Sequence, residues 1–235
     1  MNAMKSRFTV VLVRPEHPAN IGFVARSMKN TGFEQLRLVG ISGIDEESHR
    51  TAVHAPEILG SAHFYGRLTE ATADLEVIFA ATSKKRKSYS LLSLEDAVEK
   101  MIHFPDPTKV GLLFGNERTG LTSGELKYSN YRFIIPQASK QPSYNLAAAV
   151  LITLFRIYTR MQQLPTGFRQ DIPLTQGEQR DTIGIILGKL EEKGFIHKTN
   201  KKHTTEMICD LFGRLCMTEK DRRLLLALFS KGIDL

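Results

Sequence analysis

The sequence predicts an α/β domain with a mainly parallel β-sheet and helices on both faces, followed by a small all-helical extension. Two observations predict the sheet: short apolar runs alternate with helical patterns, and most of these runs are continuous, as in strands buried on both faces. A third observation predicts the extension. After Leu164–Pro173, a segment with two prolines and a glycine that we interpret as a linker, the pattern becomes purely helical.

Five apolar runs are predicted as strands, and a sixth run, Ala62–Tyr65, is a weaker candidate. Most of them lack polar alternation, so both faces of these strands are expected to be buried. The five clear strands are Phe8–Val13, Leu36–Val39, Val77–Ala81, Val110–Phe114 and Arg132–Ile135.

Helical patterns separate the predicted strands, and this alternation is what predicts a parallel sheet. Asn20 stands where an N-cap residue is expected, at the start of the first helix. The predicted helices are Asn20–Asn30, Asp45–Val53, Leu68–Ala73, Leu94–Met101 and Ser123–Tyr128.

The segment Asn145–Gln163 is predicted to form one long helix that ends before Pro165. Its apolar residues cover nearly the whole circumference, whereas a surface helix would show a single apolar stripe. Both sides of this helix should therefore be buried. Because a small chain offers little cover for the second side, we expect a homodimer with this helix in the interface.

The residues after the linker have helical patterns only. Thr175 and Glu178 form a capping box, and the apolar stripe that follows them stops at Gly194. A second helix is predicted over Thr205–Leu215, and a third opens at Thr218. The predicted division is a domain over 1–164, a linker over 165–173 and a helical extension over 174–235.

The composition is that of a globular protein with an excess of positive charge. The 235 residues include 32 Lys and Arg against 25 Asp and Glu, a formal net charge of +7, which favours a polyanionic partner without establishing one. The two cysteines, Cys209 and Cys216, fit a reducing compartment. Met1–Arg7 has no apolar leader, and the longest apolar run, Leu146–Phe155, is shorter than the roughly 20 residues of a membrane span. We expect a soluble cytoplasmic protein without a membrane partner.

Several common chemistries are excluded by their missing motifs. No G-x-G-x-x-G follows a strand, so a dinucleotide site is not expected. Gly115–Thr122 has the glycine spacing of a phosphate-binding loop, but Leu121 replaces the required lysine and Glu117 would face the phosphates. Ser123 is one place late for a nucleophile elbow. The histidines and cysteines show no metal-binding spacing, so no metal is expected.

Three segments that follow predicted strands carry a specific signal when they are taken together. They are N-I-G-F-V-A-R from Asn20, G-N-E-R-T-G-L from Gly115, and S-Y-N-L from Ser143. Alone, each has an ordinary explanation as a helix start or a glycine turn. In this order they resemble the motifs N-x-G-x-x-x-R, G-x-E-x-x-G-L and S-x-N-L of the SPOUT class of RNA methyltransferases, in its TrmH-like group.

With its helical extension the whole chain is similar to the TrmJ type of this group, which methylates ribose 2′-OH groups of cytidine or uridine in tRNA. The resemblance implies a fold with a C-terminal trefoil knot, S-adenosyl-L-methionine as the cofactor, and nucleotide thirty-two of the anticodon loop as the target. Two positions depart from the pattern: Tyr144 stands where Leu is usual, and Asn116 stands where Arg is frequent.

The resemblance also assigns roles to residues. Arg26 is the implied catalytic residue, and we expect it to clamp a phosphate, because a guanidinium rarely gives up its proton. Asn20, Glu117, Ser143 and Asn145 complete the implied catalytic set. The residues expected to bind the cofactor are Thr82, Ser83, Lys84, Gly115, Ile135, Ser143, Tyr144, Asn145 and Leu146.

Basic residues at the cofactor edge of the sheet are expected to hold the RNA, since parallel α/β sheets bind ligands at the carboxyl ends of their strands. These residues are Arg14, Arg26, Lys84, Lys85, Arg86 and Lys87. Two alternatives stay open. The motifs are equally compatible with a ribosomal RNA 2′-O-methyltransferase, and a non-catalytic RNA-binding module could keep the same fold.

Overall fold

The predicted parallel sheet is present and has seven strands in the order β3-β2-β1-β6-β4-β7-β5, with parallel pairing between neighbours. The structure is a computed structural model that describes residues 6–83, 90–138, 143–163, 172–197 and 199–231. The strands are β1 (Phe8–Val13), β2 (Gln35–Val39), β3 (His63–Tyr65), β4 (Val77–Ala81), β5 (Leu92–Ser93), β6 (Val110–Phe114) and β7 (Tyr131–Ile134). All five clear strands and the weaker sixth are confirmed, and the two-residue β5 is an addition.

Helices separate the strands and cover both faces of the sheet. The body contains α1 (Pro18–Thr31), α2 (Glu46–Ala52), α3 (Pro56–Gly60), α4 (Leu68–Ala71), α5 (Leu94–His103), α6 (Ser123–Leu126) and α7 (Leu146–Met161). Three more helices follow, which are α8 (Gln176–Glu192), α9 (Lys201–Gly213) and α10 (Glu219–Lys231). In the described residues no helix is long and apolar enough to cross a lipid bilayer.

The central strands explain why their sequences are continuous apolar runs. Every residue of β1 and β6 is buried, because helices pack on both faces. Phe8, Leu12 and Phe114 belong to the larger cluster, formed with α1, α5 and α7, whereas Val11 and Leu113 belong to a cluster on the opposite face. Burying both faces removes the polar alternation of a half-exposed strand.

Asn20 is not an N-cap, and this prediction was wrong. Helix α1 begins earlier, at Pro18, with His17 in the N-cap position and no side-chain cap bond. Proline suits the first turn because its φ angle is already helical and its missing N–H is not needed there. Asn20 therefore lies inside the helix, where it is buried and points its amide toward the end of the sheet.

The long helix is confirmed as α7, and Asn145 caps it by accepting bonds from the backbone N–H groups of Ala147 and Ala148, at 2.9 and 3.4 Å. One face is fully buried against the body. On the other face Leu151 and Phe155 are exposed in the single chain, at 41% and 51%.

Buried amides join the last three helices to the sheet domain. Asn130 accepts from the backbone N–H of Ile78 at 2.8 Å and from Gln176 Nε2 at 3.1 Å, and it donates to the carbonyl of Leu215 at 2.9 Å. Gln179 donates to the same carbonyl at 2.7 Å. The capping box predicted at the start of α8 is present. The predicted linker lies largely outside the described residues.

Candidate active site

A cavity of about 420 Å³ opens at the carboxyl ends of β4, β6 and β7, next to the start of α7. This volume is within the range of roughly 300–1,000 Å³ typical of small-molecule sites. The wall consists of residues 81–83 and 114–121 together with Ile135, Gln137, Ser143, Tyr144, Leu146 and Ala149. Parallel strands end at this edge, so segments far apart in sequence meet here.

Most of the residues that the sequence nominated for the cofactor line this cavity. They are Thr82, Ser83, Gly115, Ile135, Ser143, Tyr144 and Leu146. Asn145 is not part of the wall, because its amide caps α7 and bonds to Asn20. Lys84 lies outside the described residues, as do Lys85, Arg86 and Lys87, which were expected to bind RNA.

The loop after β6 is held by the buried side chain of Asn116. Its Oδ1 accepts from the backbone N–H groups of Arg118 and Thr119, at 2.9 and 3.0 Å. Its Nδ2 donates to the carbonyl of Arg14 at 2.9 Å, which ties the loop to the end of β1. Asn116, which stands where Arg is frequent in the family, thus fixes the shape of the loop and its position next to β1.

Two glycines allow the loop to close. A Cβ on Gly115 would collide with the backbone of Gly120 and Leu121. Gly120 has a φ angle of +66°, a conformation that other residues rarely adopt. The spacing G-x-x-x-x-G therefore reflects a tight turn in the cavity wall.

The three motifs are joined by a chain of side-chain hydrogen bonds. Asn145 Nδ2 donates to Asn20 Oδ1 at 3.0 Å, and Asn20 Nδ2 donates to Glu117 Oε1 at 2.8 Å. The same carboxylate accepts from the backbone N–H groups of Glu16 and His17, at 2.8 and 3.3 Å. Glu117 thereby fixes the start of α1, the cavity loop and the start of α7 relative to one another.

These bonds determine the charge of Glu117. Partial burial raises the pKa of its carboxyl, but the hydrogen bonds from Glu16, Asn20 and the backbone outweigh burial, and the pKa lies below its ordinary value. A carboxylate held this way stays ionised and accepts hydrogen bonds. We therefore regard Glu117 as a positioning residue and not as a proton acceptor for substrate.

Arg26 does not line the cavity. It lies six residues beyond Asn20 on α1, about 9 Å along the helix axis at 1.5 Å per residue. Its side chain is exposed, as is that of Phe23 one turn earlier. In the part of the chain that the structure describes, no hydrogen bond or ion pair engages its guanidinium. The single chain does not bring Arg26 together with the other nominated catalytic residues.

Arg14 lies at the end of β1, as predicted, with a positive φ angle of 51°. Its guanidinium forms an ion pair with the carboxylate of Glu125, in which Nη2 donates to Oε2 at 3.1 Å. Glu125 also closes the capping box of α6 with Thr122. Arg14 therefore has an internal partner, and an RNA phosphate would have to compete with Glu125 for its guanidinium.

Sequence reasoning did not nominate two polar or charged residues of the cavity, and it did not show what the Tyr144 hydroxyl binds. Arg118 and Gln137 line the cavity, and the Tyr144 hydroxyl donates to the carbonyl of Pro136 at 3.0 Å, which ties the two ends of the wall together. The signal for Arg118 was its place inside the glycine loop after β6, at the edge where the other motifs meet. Among the described residues no three His, Cys, Asp or Glu side chains come together to hold a metal ion.

Comparison with known proteins agrees with this arrangement. The SpoU rRNA Methylase family matches residues 7–155. A tRNA (cytidine-2′-O-)-methyltransferase TrmJ of Methanocaldococcus jannaschii is 33% identical over 214 residues, which cover 88% of this chain and 90% of that protein. The tRNA (cytidine/uridine-2′-O-)-methyltransferase TrmJ of Escherichia coli K12 is 30% identical over 220 residues, covering 90% and 89%.

Among solved structures, TrmJ from Z. mobilis ZM4 superposes with a TM-score of 0.80 at 26% identity, covering 95% of this chain and 97% of that chain. The resemblance inferred from the three motifs is confirmed by these matches. With a family match over more than half of its length and relatives at 30% identity or more along most of it, the chain belongs to the SpoU rRNA methylase family.

Proposed function

We propose that the protein transfers a methyl group from S-adenosyl-L-methionine to a ribose 2′-OH of tRNA, in the anticodon loop at nucleotide thirty-two. The observation that carries the proposal is the chain from Glu117 through Asn20 to Asn145, which assembles three distant motifs around one cavity. The printed names of the relatives from M. jannaschii and E. coli support tRNA as the substrate class. A tRNA substrate also supports a cytoplasmic location.

The cavity fits a molecule such as S-adenosyl-L-methionine, which when bound supplies a methyl group on a positively charged sulfur. Thr82 and Ser83 after β4, Gly115 after β6 and Ile135 after β7 line the cavity and would contact the cofactor at the ends of these strands. Of the described wall residues only Glu117 and Arg118 carry a charge. A mostly uncharged wall suits a neutral purine.

The acceptor hydroxyl is a poor nucleophile, so positioning must supply much of the acceleration, and good alignment contributes about 7–11 kcal/mol. Arg26 provides a cation that fixes a phosphate next to the target ribose. A guanidinium fork matches phosphate geometry and keeps its proton, so this role fits Arg26 better than that of a base.

The exposed side of α7 forms the interface of a homodimer. Leu151 and Phe155 on α7 and Phe23 on α1 are exposed apolar residues on two helices that pack together. Covering them removes apolar area from water, the main driving force of association. Arg26 lies one turn beyond Phe23, so a dimer also brings this cation to the edge of the interface, where it can reach the partner's cavity.

We propose that the C-terminal part of the sheet domain folds into a trefoil knot and that the residues after this domain form a helical extension. Strand β7 comes late in the chain but lies between β4 and β5, while β6 pairs with the other edge of β4. This strand order is compatible with a threaded chain. The extension covers 174–235 and the linker 165–173, after a domain over 1–164.

RNA is held by the basic segment Lys84 to Lys87, which directly follows the cavity residues Thr82 and Ser83 in sequence. Replacing the four residues with serine should weaken tRNA binding and flatten its salt dependence, because each neutralised phosphate releases counterions. An unchanged salt slope contradicts this assignment.

Nucleoside mass spectrometry tests the proposal. Total tRNA and ribosomal RNA are incubated separately with the protein and S-adenosyl-L-methionine carrying a labelled methyl group, and the nucleosides are analysed. Label in 2′-O-methylated cytidine or uridine of tRNA is the expected result. Label in ribosomal RNA alone supports the second candidate, a ribosomal RNA methyltransferase, which the family's printed name favours. No label, with no cofactor binding by calorimetry, supports a non-catalytic RNA-binding module.

A further inference from the structure

A second groove lies at the same edge of the sheet as the candidate active site. It has a volume of about 480 Å³ and opens beyond the carboxyl ends of β2 and β3. Its lining consists of Gly40, Ile41, Ser42, Phe64, Tyr65 and Gly66. None of these residues belongs to the three family motifs, so the proposed methyl transfer leaves the groove unexplained.

Arg14 connects the lining of the groove to the active-site loop. The backbone N–H of Arg14 donates to Val39 at 2.8 Å, next to Gly40, and its carbonyl accepts from the loop residue Asn116 at 2.9 Å. The Arg14 side chain runs over Gly40, with Cγ 2.9 Å from the position of a Cβ there. Strands β6 and β2 are two spacings apart, about 10 Å. A nucleotide near the methylated one can therefore reach the groove.

The chemistry of the groove is that of a stacking platform. Phe64 lies on the edge strand β3 and is 41% exposed, although it is a large apolar side chain. An exposed aromatic ring at this edge of the sheet can stack against a planar base. Single-stranded RNA is commonly recognised by bases stacked on aromatic side chains.

A cation for the accompanying phosphate lies directly after the groove. Arg67 follows Gly66 and is exposed, and in the described part of the chain no carboxylate pairs with its guanidinium. Arg37, in contrast, lies over the Tyr65 ring but is bound to both carboxylate oxygens of Asp74, at 2.5 and 2.9 Å. Arg67 is thus the cation available for a phosphate, and the carboxylate of Glu70 on α4 lies beside Gly66, with Oε2 4.0 Å from the position of a Cβ there.

We infer that this groove binds an unpaired nucleobase of the substrate RNA, stacked on Phe64, with the neighbouring phosphate on Arg67. The inference rests on the proposed function, because it assumes that RNA enters along the edge of the sheet that holds the methylase cavity. Stacking is tolerant of sequence, so the groove positions the RNA loop without selecting a particular base.

Binding of an anticodon stem–loop RNA, measured by fluorescence anisotropy, tests the inference. Phe64→Ala should weaken binding about tenfold, Phe64→Tyr should bind like the wild type, and Phe64→Leu should remain as weak as the alanine variant. The matched control is Phe195→Ala, which removes a phenylalanine that is 51% exposed after α8. Arg67→Gln should lower the slope of log affinity against log salt by about one.

Wild-type affinity for Phe64→Ala overturns the inference, as does full rescue by leucine or an equal loss in the Phe195 control. Thermal melts of each variant show whether a loss of binding is a loss of folding, and if alanine unfolds the protein the leucine variant, which keeps an apolar side chain, still tests whether an aromatic ring is needed. Failure of the proposed function is recognised separately, because the wild-type protein would then not label tRNA with S-adenosyl-L-methionine as the methyl donor.

Discussion

The side-chain amide of Asn20 donates a 2.8 Å hydrogen bond to Glu117 although the two residues are 97 positions apart in the chain. Asn20 lies in the first turns of α1, and Glu117 lies in the loop after β6. The bond exists because β1 and β6 are adjacent parallel strands, so the segments that leave them meet at one edge. It ties the start of α1 to the loop that lines the cavity.

Glu117→Gln should destabilise the protein by about 1–3 kcal/mol at neutral pH, because glutamine offers a weaker acceptor to three N–H groups and adds an unmatched donor. It should also weaken binding of S-adenosyl-L-methionine through misplacement of the loop. Urea unfolding and calorimetry measure the two effects. A variant with wild-type stability and cofactor affinity would show that the carboxylate does not organise the site.

The stabilising effect of Glu117 should depend on pH with a definite sign. Its pKa in the folded protein is below the ordinary value of 4.5, so its contribution is fully present above that value and is lost as the pH falls through the folded pKa. The stability gap between the wild type and Glu117→Gln should therefore shrink below about pH 4.5. A gap that stays constant between neutral pH and the acid transition contradicts the assigned charge.

Arg26→Ala should lower the methylation rate by roughly a hundredfold, whereas Arg26→Lys should retain weak activity, because lysine keeps the charge and loses the fork. Neither change should alter cofactor binding, since Arg26 is outside the cavity wall. Lys29→Ala, which removes another cation of α1 that pairs with Glu57, is the matched control. Equal activity in the wild type and both Arg26 variants rules out both roles of Arg26, as a phosphate-binding residue and as a general base.

Arg7 should be important for stability alone. Its buried guanidinium donates to the carbonyls of Met101 and Phe104, at 2.9 and 2.6 Å, and so caps the end of α5. Burial lowers the pKa of Arg7. We expect Arg7→Ala to cost about 2–4 kcal/mol because these carbonyls lose their partner. Arg50→Ala, at an exposed ion pair, should change stability by less than about 0.5 kcal/mol, and chemical denaturation of both variants measures the difference.

Replacing Val53 with glycine should make the folded protein more stable. It has φ 54° and ψ −94°, which is strained for a β-branched residue, and its side chain is 49% exposed. Val53→Gly should raise the unfolding free energy by about 1 kcal/mol, whereas Val53→Ala, which keeps a Cβ, should give little or no gain. If glycine and alanine have the same effect in thermal unfolding, backbone strain at this position is not the cause.

Phe155→Asp should give a monomer. The change places a charge on the exposed face of α7, where we propose that a second copy packs. Sedimentation at micromolar concentration should show a dimer for the wild type and a monomer for the variant. Met207→Asp, at another exposed apolar position on α9, should remain dimeric. A wild-type monomer refutes the interface.

The sequence allowed the strands to be predicted because burial on both faces leaves continuous apolar runs, as in β1 and β6. It could not reveal β5, since two residues are too short for any periodicity. The buried amides Asn130 and Gln176 were also missed. A sequence does not show whether a polar residue is hydrogen-bonded inside the protein or exposed to water.

The sequence predicted where the candidate site lies, but it did not predict the hydrogen bonds that connect its residues. The motifs pointed to the correct edge of the sheet, where Gly115, Ile135 and Ser143 line one cavity. The misplacement of Asn20 shows the limit: Pro18 starts the helix, and only the folded chain shows that the asparagine faces Glu117. The second groove was not anticipated, because an aromatic residue in a strand is expected to be in the core.

The most direct test of the central claim is to map the methyl group that the protein transfers to unmodified tRNA. The RNA is incubated with labelled S-adenosyl-L-methionine, cleaved into fragments and analysed by mass spectrometry, with Arg26→Ala in parallel. We predict label on one ribose of the anticodon loop with the wild type and a strongly reduced signal with the variant. Label on a base, label outside that loop, or no label in tRNA would contradict the account.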